Sequence, residues 1–393
     1  MSEVLLSVII PTKNRHKVLI PTIKTLSKNI SDSRVEFVIQ DNSNDNIEML
    51  EYQKQANDSR IRYFYDSEDI GLKKNFDYAL IHSCGKYLIL IGDDDLVNPY
   101  IMDVLDHAVK SEIECLIYPR ATYYWPDVVF QKEVEFFAPA SIQIIKNADL
   151  NIQKLSSAEE LQYVLSMGGI YLYKLPALYH GIVKKEIVDA IYKKHGTYIL
   201  GPSPDICLAI SLAFELDFYH YINFPVSIAG ASYDSAAGMG RRGEHSAALE
   251  NAPKWLPKDT IANWDIKIPR LWNGFTVYAQ SIFIVFKHNN RVLNLNYFKL
   301  YDKILYGNFK DIIFLKKTFS FKSLDFLRKN WMIIKNRALN IIKAFVLSLP
   351  DFMFSFIIKR YGYFADLKHI KNIDNVESCM QWLKAEYKNK FRA

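Results

Sequence analysis

The sequence predicts an α/β fold, a mostly parallel sheet flanked by helices. Three observations predict it. Short β-rich runs alternate with stretches of helical spacing through the first hundred residues. The strand-like runs are almost wholly apolar, as strands covered on both faces are. Half of the 393 residues are hydrophobic and 14% are aromatic, enough to fill a sizeable core and to exclude wholesale disorder.

In order, LLSVIIP (Leu5–Pro11) reads as a strand, His16–Leu26 as a helix, VEFVIQ (Val35–Gln40) as a strand and Ile47–Ala56 as a helix. IRYFYD (Ile61–Asp66) is a third strand, Lys73–Ser83 a helix closed by Gly85, and YLILI (Tyr87–Ile91) a fourth strand, followed by a helix over Tyr100–Lys110. Beyond residue 115 the pattern loosens into Glu114–Tyr118 and Thr122–Trp125. A helix from Ser157 has capping-box spacing to Glu160, and another, Lys184–His195, ends at Gly196. Pro202 and Pro204 precede an apolar helix that Asp205 opens, and Pro225–Pro257, rich in Gly, Ser and Ala, has the composition of a mobile loop. The length suits residues 1–260 as one catalytic-type domain, in halves 1–112 and 113–260, with a helical region over 261–393.

The formal charge of +6 is unevenly spread: Asn296–Ala393 holds nineteen Lys/Arg against eight Asp/Glu. Within it, basic residues interleave with apolar ones at helical spacing, and the most apolar part, Ala344–Ile358, is interrupted by Pro350 and Asp351 and too short to span a bilayer. Two readings fit. Either an amphipathic pair of helices lies on an anionic lipid surface with Trp331, Phe345, Phe352 and Phe354 in the interface, or a helical domain buries the same aromatics. Nucleic acid is excluded as a partner by the high apolar content and the lack of a binding motif. Four dispersed cysteines and an N-terminus without a basic start or cleavage site place the protein in the cytoplasm, the tail being what would hold it to the inner face of the membrane.

In open α/β sheets ligands bind beyond the carboxyl ends of the strands. Three polar loops sit there: PTKNR (Pro11–Arg15), DNSND (Asp41–Asp45) and GDDD (Gly92–Asp95). Adjacent carboxylates raise one another's proton affinity unless a cation balances them. Mg²⁺ or Mn²⁺ takes carboxylate oxygens and completes its shell with water and phosphate. A solvated acidic turn or a helix N-cap is the plainer explanation of Asp93, Asp94 and Asp95 taken alone.

With PTKNR and DNSND joined by GLKKNFDYAL, CGKY and GDDDLVNP in that order, Leu5 to Ala108 resembles the nucleotide-diphosphosugar half of inverting family-2 glycosyltransferases, which have a GT-A fold. The resemblance implies a UDP-sugar donor and a saccharide or lipid-linked glycan acceptor in surface-polysaccharide assembly. It places Pro11, Thr12 and Arg15 along the nucleotide pocket, Asp41 against the uracil ring N–H, Gly71 and Lys74 near base and phosphates, Asp93 near the ribose, and Asp94 on the metal. The family's usual basic residue at Lys74 is Arg. Many members begin their Asp-x-Asp motif one position earlier, at Gly92 here, so Asp93/Asp94 and Asp93/Asp95 both stand as the working pair.

Inverting transfer also needs a general base for the acceptor hydroxyl. Asp205, at the start of an anchored apolar helix, is the choice, an ordinary N-cap being the alternative; Glu215 and Asp217 are the fallbacks. Arg241 and Arg242 match a diphosphate clamp, and His245 a further metal ligand when its loop closes over the donor. No role falls to His180. Two other functions compete. A nucleotidyltransferase would need a Gly-rich phosphate loop, which PTKNR is not, and a silent partner in a glycan-assembly complex would not need the acidic triplet and Asp205.

Overall fold

The computed structural model describes residues 3–131, 136–253, 256–307 and 366–391. Four parallel strands, Leu6–Thr12 (β1), Val35–Asp41 (β2), Ile61–Tyr65 (β3) and Tyr87–Leu90 (β4), lie in the order β3-β2-β1-β4, joined by the helices His16–Asn29 (α1), Ile47–Ala56 (α2) and Gly71–Ile81 (α3). Their side chains alternate between two cores, as the two-residue period of a strand requires. Leu6, Val8, Ile10, Phe37, Ile39, Tyr87 and Ile89 face one core, while Ile9, Val38, Leu88 and Leu90 face the other. Each wholly buried aliphatic side chain contributes about 1.5–3 kcal/mol, so these runs carry much of what fixes the register.

The acidic loop leads into Leu96–Val97 (β5) and Ile101–Lys110 (α4). Cys115–Ile117 (β6), Ala121–Tyr124 (β7), Ser141–Ile145 (β8) and Ile152–Ser156 (β9) come next, before Ser157–Ser166 (α5), Ile182–Lys184 (β10), Lys185–His195 (α6), Pro204–Glu215 (α7) and Phe218–Ile222 (β11). The main sheet continues past β4 as β10-β6-β11-β9, with β10 antiparallel to both of its neighbours. It is therefore a mixed eight-stranded sheet, wholly parallel in the expected nucleotide half and with one further parallel pair, β6 with β11, beyond it. Helices α1 and α4 cover one face, and α3, α6 and α7 the other. Helix α7 is apolar nearly all round because it is sandwiched: Leu208 and Leu212 meet the sheet, while Ile206, Ala209 and Ile210 meet a third core shared with α5 and a later helix.

Two local expectations shift. The cap of α5 is Ser156, whose hydroxyl accepts from Glu159 N, one residue before the predicted pair; Ser157 is already helical and buried. The stretch Pro225–Pro257, expected as a mobile loop, holds instead Ser227–Ala231 (β12), Ala236–Arg242 (α8) and Ser246–Ala248 (β13). Its small residues serve close approach. A Cβ on Gly230 would lie 1.9 Å from the carbonyl oxygen of Asp94, and one on Gly238 2.0 Å from that of Ser232.

A second, five-stranded sheet runs β15-β8-β7-β12-β5, where β15 is Leu367–Lys371. Before it come Lys258–Ala262 (α9), Leu271–Asn273 (β14, paired with β13), Gly274–His288 (α10) and Tyr297–Gly307 (α11); after it comes Val376–Tyr387 (α12). Helix α10 packs on α7 and starts in a capping box formed by Asn273 and Thr276. The chain beyond residue 260 is thus not only helical, and it does not stand apart. Strand β15 pairs with β8, and Cys379, Met380, Leu383 and Tyr387 of α12 join the core under β1 and β2. The expected amphipathic run with Trp331, Phe345, Phe352 and Phe354 lies outside the described residues. Among those described, no helix is long and apolar enough to cross a membrane.

Candidate active site

The carboxyl ends of β1, β2 and β4 bring the three polar loops together, because parallel neighbours in register end side by side: Thr12 pairs with Asp41, and Ile9 with Leu90. The first two loops are knitted by side chains. Asn14, at φ 57°, receives a hydrogen bond on its side-chain oxygen from Asn44 N at 2.8 Å, its own N–H donates to Ser43 Oγ at 2.6 Å, and Lys13 donates to Asn42 at 3.3 Å and Asp69 at 2.6 Å. Next to them is an open pocket of about 430 Å³, lined in part by Asn14, His16, Ser43 and Glu48.

Asp93, Asp94 and Asp95 are each 3–4% exposed, so they are no solvated turn. Each has its own partners. Asp93 Oδ2 accepts from Thr12 Oγ1 at 2.7 Å, and its Oδ1 lies 2.8 Å from Arg15 Nη1. Asp94 Oδ2 accepts from the Ser232 backbone at 3.0 Å and hydroxyl at 2.6 Å, with Arg15 Nη2 at 3.2 Å. Asp95 Oδ1 accepts from Gly230 N at 2.6 Å; its Oδ2 accepts from Gly92 N at 2.6 Å and Tyr179 Oη at 3.2 Å, with His180 Nε2 at 3.0 Å.

The charges sort accordingly. Burial pushes Asp93 up to about 7, Arg15 pulling the other way. Burial works against Asp95 as well, yet His180 and the two backbone N–H groups hold it below the usual carboxylate range. For Arg15, burial opposes the charge, and Asp93 and Asp94 more than offset it, so the guanidinium is held in its charged form.

The crowding of the three carboxylates is therefore relieved from within the chain, by Arg15, His180 and backbone N–H groups. A divalent ion, which the family resemblance implies, has to be tested against that arrangement. Asp95 does not fit as a ligand, since both its oxygens are committed. His245 does not join the set either; it stacks edge-on against Trp272 at 4.4 Å, and burial pushes its pKa down. Among the described residues, no three His, Cys, Asp or Glu side chains are grouped to hold a metal. Asp93 and Asp94 do fit in donor chemistry, because Asp94 Oδ1 takes part in none of the contacts above and Mg²⁺ or Mn²⁺ commonly uses only one or two protein carboxylates. Of the two expected pairs, Asp93/Asp94 is the one whose oxygens are compatible with an ion, while the contacts of Asp95 brace the loop. Gly92 fits the same picture: a Cβ there would lie 3.0 Å from both Asp95 Oδ2 and Tyr179 Oη.

Of the other predicted site residues, Pro11 is buried in β1 beside Thr12. Asp41 is wholly buried, its Oδ2 2.7 Å from both His16 Nε2 and Tyr63 Oη and its Oδ1 2.8 Å from Ser43 N. Gly71 opens α3 at φ 76°, a left-handed conformation suited to glycine, and Lys74 is exposed on its first turn. Arg241 stacks over Tyr124 and Phe137 at 5.2 and 5.1 Å, and Arg242 over Tyr233 at 3.9 Å while pairing with Glu244 at 2.8 Å. Both arginines are thereby held by neighbours of their own and make no contact with the acidic loop.

Asp205 sits half-buried in the first turn of α7, after Pro204. Its Oδ2 accepts from Tyr278 Oη at 2.6 Å, and its Oδ1 from Ile206 N at 2.8 Å and from Ser203 Oγ. Asp205 and the acidic loop share an electrostatic neighbourhood. Burial first, then Asp95, Asp94, Asp205 and Asp93 together, drive the Tyr179 hydroxyl far above its ordinary pKa. The fallback candidates lie three turns away, with Glu215 at the far end of α7 paired to Lys194 at 3.2 Å.

Sequence reasoning missed Tyr179, His180, Gly230, Ser232 and Tyr278, which join the loop from other elements. One signal was present: His180 and Tyr179 are polar residues at the edge of an apolar strand, and His180 proves to be at φ 59°, a conformation a non-glycine residue adopts only when its surroundings fix it.

Comparison with known proteins bears on the class of the first half. Residues 7–158 match the family model described as glycosyl transferase family 2. That stretch, less than half of the chain, is similar to family-2 glycosyltransferases. No curated protein matches the sequence. Among solved structures, S. aureus TarS is similar at 15% identity and a TM-score of 0.40, over 58% of this chain and 37% of TarS. TarS 1–349 in complex with UDP (15%, TM-score 0.41, 58% and 61% of the two chains) and with UDP-GlcNAc (14%, 0.41, 57% and 58%) are similar to the same degree. The chain spans less than two thirds of each.

Proposed function

We propose that this glycosyltransferase moves a sugar from a UDP-sugar to a saccharide hydroxyl, with inversion, and that the hydroxyl belongs to a free or lipid-linked glycan in surface-polysaccharide assembly. The observation that carries the reading is the buried acidic loop at the carboxyl edge of the parallel strands, tied to Thr12 and Arg15 on one side and sharing the Tyr179 environment with Asp205 on the other. A nucleoside diphosphate is the ligand class that such an edge and such a charge pattern suit. Uridine over other bases rests on the family resemblance of Asp41.

In this reading Asp205 takes the proton from the attacking hydroxyl, as an Asp on a rigid, core-anchored helix is placed to do. Tyr278 and Ser203 orient its carboxylate, leaving the remaining lone pairs for the acceptor. Asp94, through its open Oδ1, and Asp93 would hold Mn²⁺ or Mg²⁺. That ion, when bound, supplies positive charge to the departing diphosphate. Arg15 and Thr12 line the same side and orient the phosphates.

Screening nucleotide sugars for metal-dependent hydrolysis tests the reading. UDP release from a UDP-sugar, suppressed in Asp94→Ala, is the expected result. Release of pyrophosphate from a nucleoside triphosphate and a sugar phosphate would point to a nucleotidyltransferase instead.

A further inference from the structure

Arg15 is a heavily committed side chain of the site and also an incompletely satisfied one. Its guanidinium spans Asp93 at 2.8 Å and Asp94 at 3.2 Å and donates to Ser232 Oγ at 2.6 Å, linking the β1 loop, the acidic loop and the end of β12. Its Nε, by contrast, is buried with no acceptor, and the 2.8 Å approach to Asp93 Oδ1 is an ion pair without an aligned hydrogen bond. Close by, Asn75 donates its amide to the Thr12 carbonyl at 3.0 Å and leaves its own oxygen buried and unpartnered. Buried polar groups are nearly always paired, so an unmet donor and an unmet acceptor flanking one loop mark a place where a ligand completes the set.

We propose that Arg15 is an exchangeable counter-cation: it neutralises Asp93 and Asp94 while the donor site is free, and releases them to a divalent cation when a nucleoside diphosphate brings oxygens for the guanidinium to bind. The proposal rests on the donor reading above. Its logic is competition. A guanidinium and a divalent cation want the same carboxylate oxygens, and a guanidinium driven off without a replacement anion would stay buried and unpaired, which is strongly unfavourable. A diphosphate removes that penalty, because its paired oxygens match the planar fork, Nε included. Metal alone therefore binds poorly, nucleotide and metal bind together, and by linkage each raises the other's affinity by the same factor.

The test is Mn²⁺ affinity on the full chain, read from the electron paramagnetic resonance signal of free Mn²⁺, with and without UDP. The wild type is expected to bind Mn²⁺ at least about tenfold more tightly with saturating UDP than without, a typical coupling between two sites. Arg15→Gln, which keeps the bulk and removes the charge, is expected to bind Mn²⁺ without UDP about tenfold more tightly than the wild type and to lose most of the UDP effect. Arg15→Lys is the second variant should Arg15→Gln fail to fold; its charge lacks the fork, so a weakened UDP effect is expected. Adding Asp94→Asn to either variant should abolish Mn²⁺ binding without UDP. A folded Arg15 variant with wild-type Mn²⁺ affinity and a wild-type UDP effect overturns the exchange and leaves the donor reading standing. A wild type that binds no UDP, with or without Mn²⁺, overturns the donor reading itself.

Discussion

At the residue scale, the three aspartates do different work although they are neighbours of the same type. Asp94 has the open oxygen, so Asp94→Ala should reduce transfer to background while the thermal midpoint stays within a few degrees, both checked on one preparation. Asp205→Asn keeps the shape but turns one acceptor oxygen into an amide NH2 and removes the base; the expected loss in kcat is about 10²–10⁴-fold, with UDP affinity unchanged by calorimetry. Tyr278→Phe removes the 2.6 Å bond that fixes the Asp205 carboxylate. A loss in kcat smaller than that of Asp205→Asn, at constant UDP affinity, is what a positioning role predicts. Asp94 and Asp205 could be named from the sequence because carboxylates after apolar strands and after Pro at a helix start are conspicuous; Tyr278 could not. Arg15's grip on Asp93 and Asp94 was not legible, since the partners stand 78 and 79 positions apart and only the parallel pairing of β1 with β4 joins them.

At the element scale, β12 is the brace of the site. It carries Gly230, whose N–H holds Asp95, and it is followed directly by Ser232, which holds Asp94. Gly230→Ala would drive a methyl to within 1.9 Å of the Asp94 carbonyl, and the strand must shift to admit it. Overpacking of this kind costs about 1–3 kcal/mol, measurable in urea unfolding, and activity should fall more than stability because the acidic loop moves with the strand. Composition pointed the wrong way here: Gly, Ser and Ala suggest mobility when read alone, and the same residues are what a strand pressed against another backbone requires.

At the scale of the whole molecule, the last described stretch closes the first domain. Helix α12 lies on α1, where Glu377 accepts from Lys28 at 2.8 Å and Asn29 at 3.1 Å, and these hydrogen bonds hold Glu377 below its ordinary pKa. A depressed acid stabilises the folded state above its unfolded pKa and ceases to as the pH falls through the folded value. Docking of α12 should therefore weaken under acidic conditions, below about pH 4.5, the ordinary pKa of a Glu, and Glu377→Gln should remove that dependence at a cost of about 0.5–1 kcal/mol at neutral pH. Hydrogen exchange of the α12 amides against pH reads both. Deleting residues 366–393 would remove Met380, Leu383 and Tyr387 and uncover the core they pack against, Leu19, Ile23 and Leu26 included, and the expected outcome is loss of cooperative unfolding for the first domain rather than release of a dispensable tail.

The sequence by itself determined the parallel half-sheet, the three polar loops at its carboxyl edge and the family resemblance, because strand periodicity and local motifs are written within a few residues of one another. Only the tertiary structure decided how the acidic loop is neutralised, which of its carboxylates stays open, where Arg241, Arg242 and His245 go, and how the C-terminal strand and helix return. Those outcomes depend on contacts between segments tens to hundreds of residues apart, and the charge on a buried carboxylate is set by whichever distant side chains fold against it.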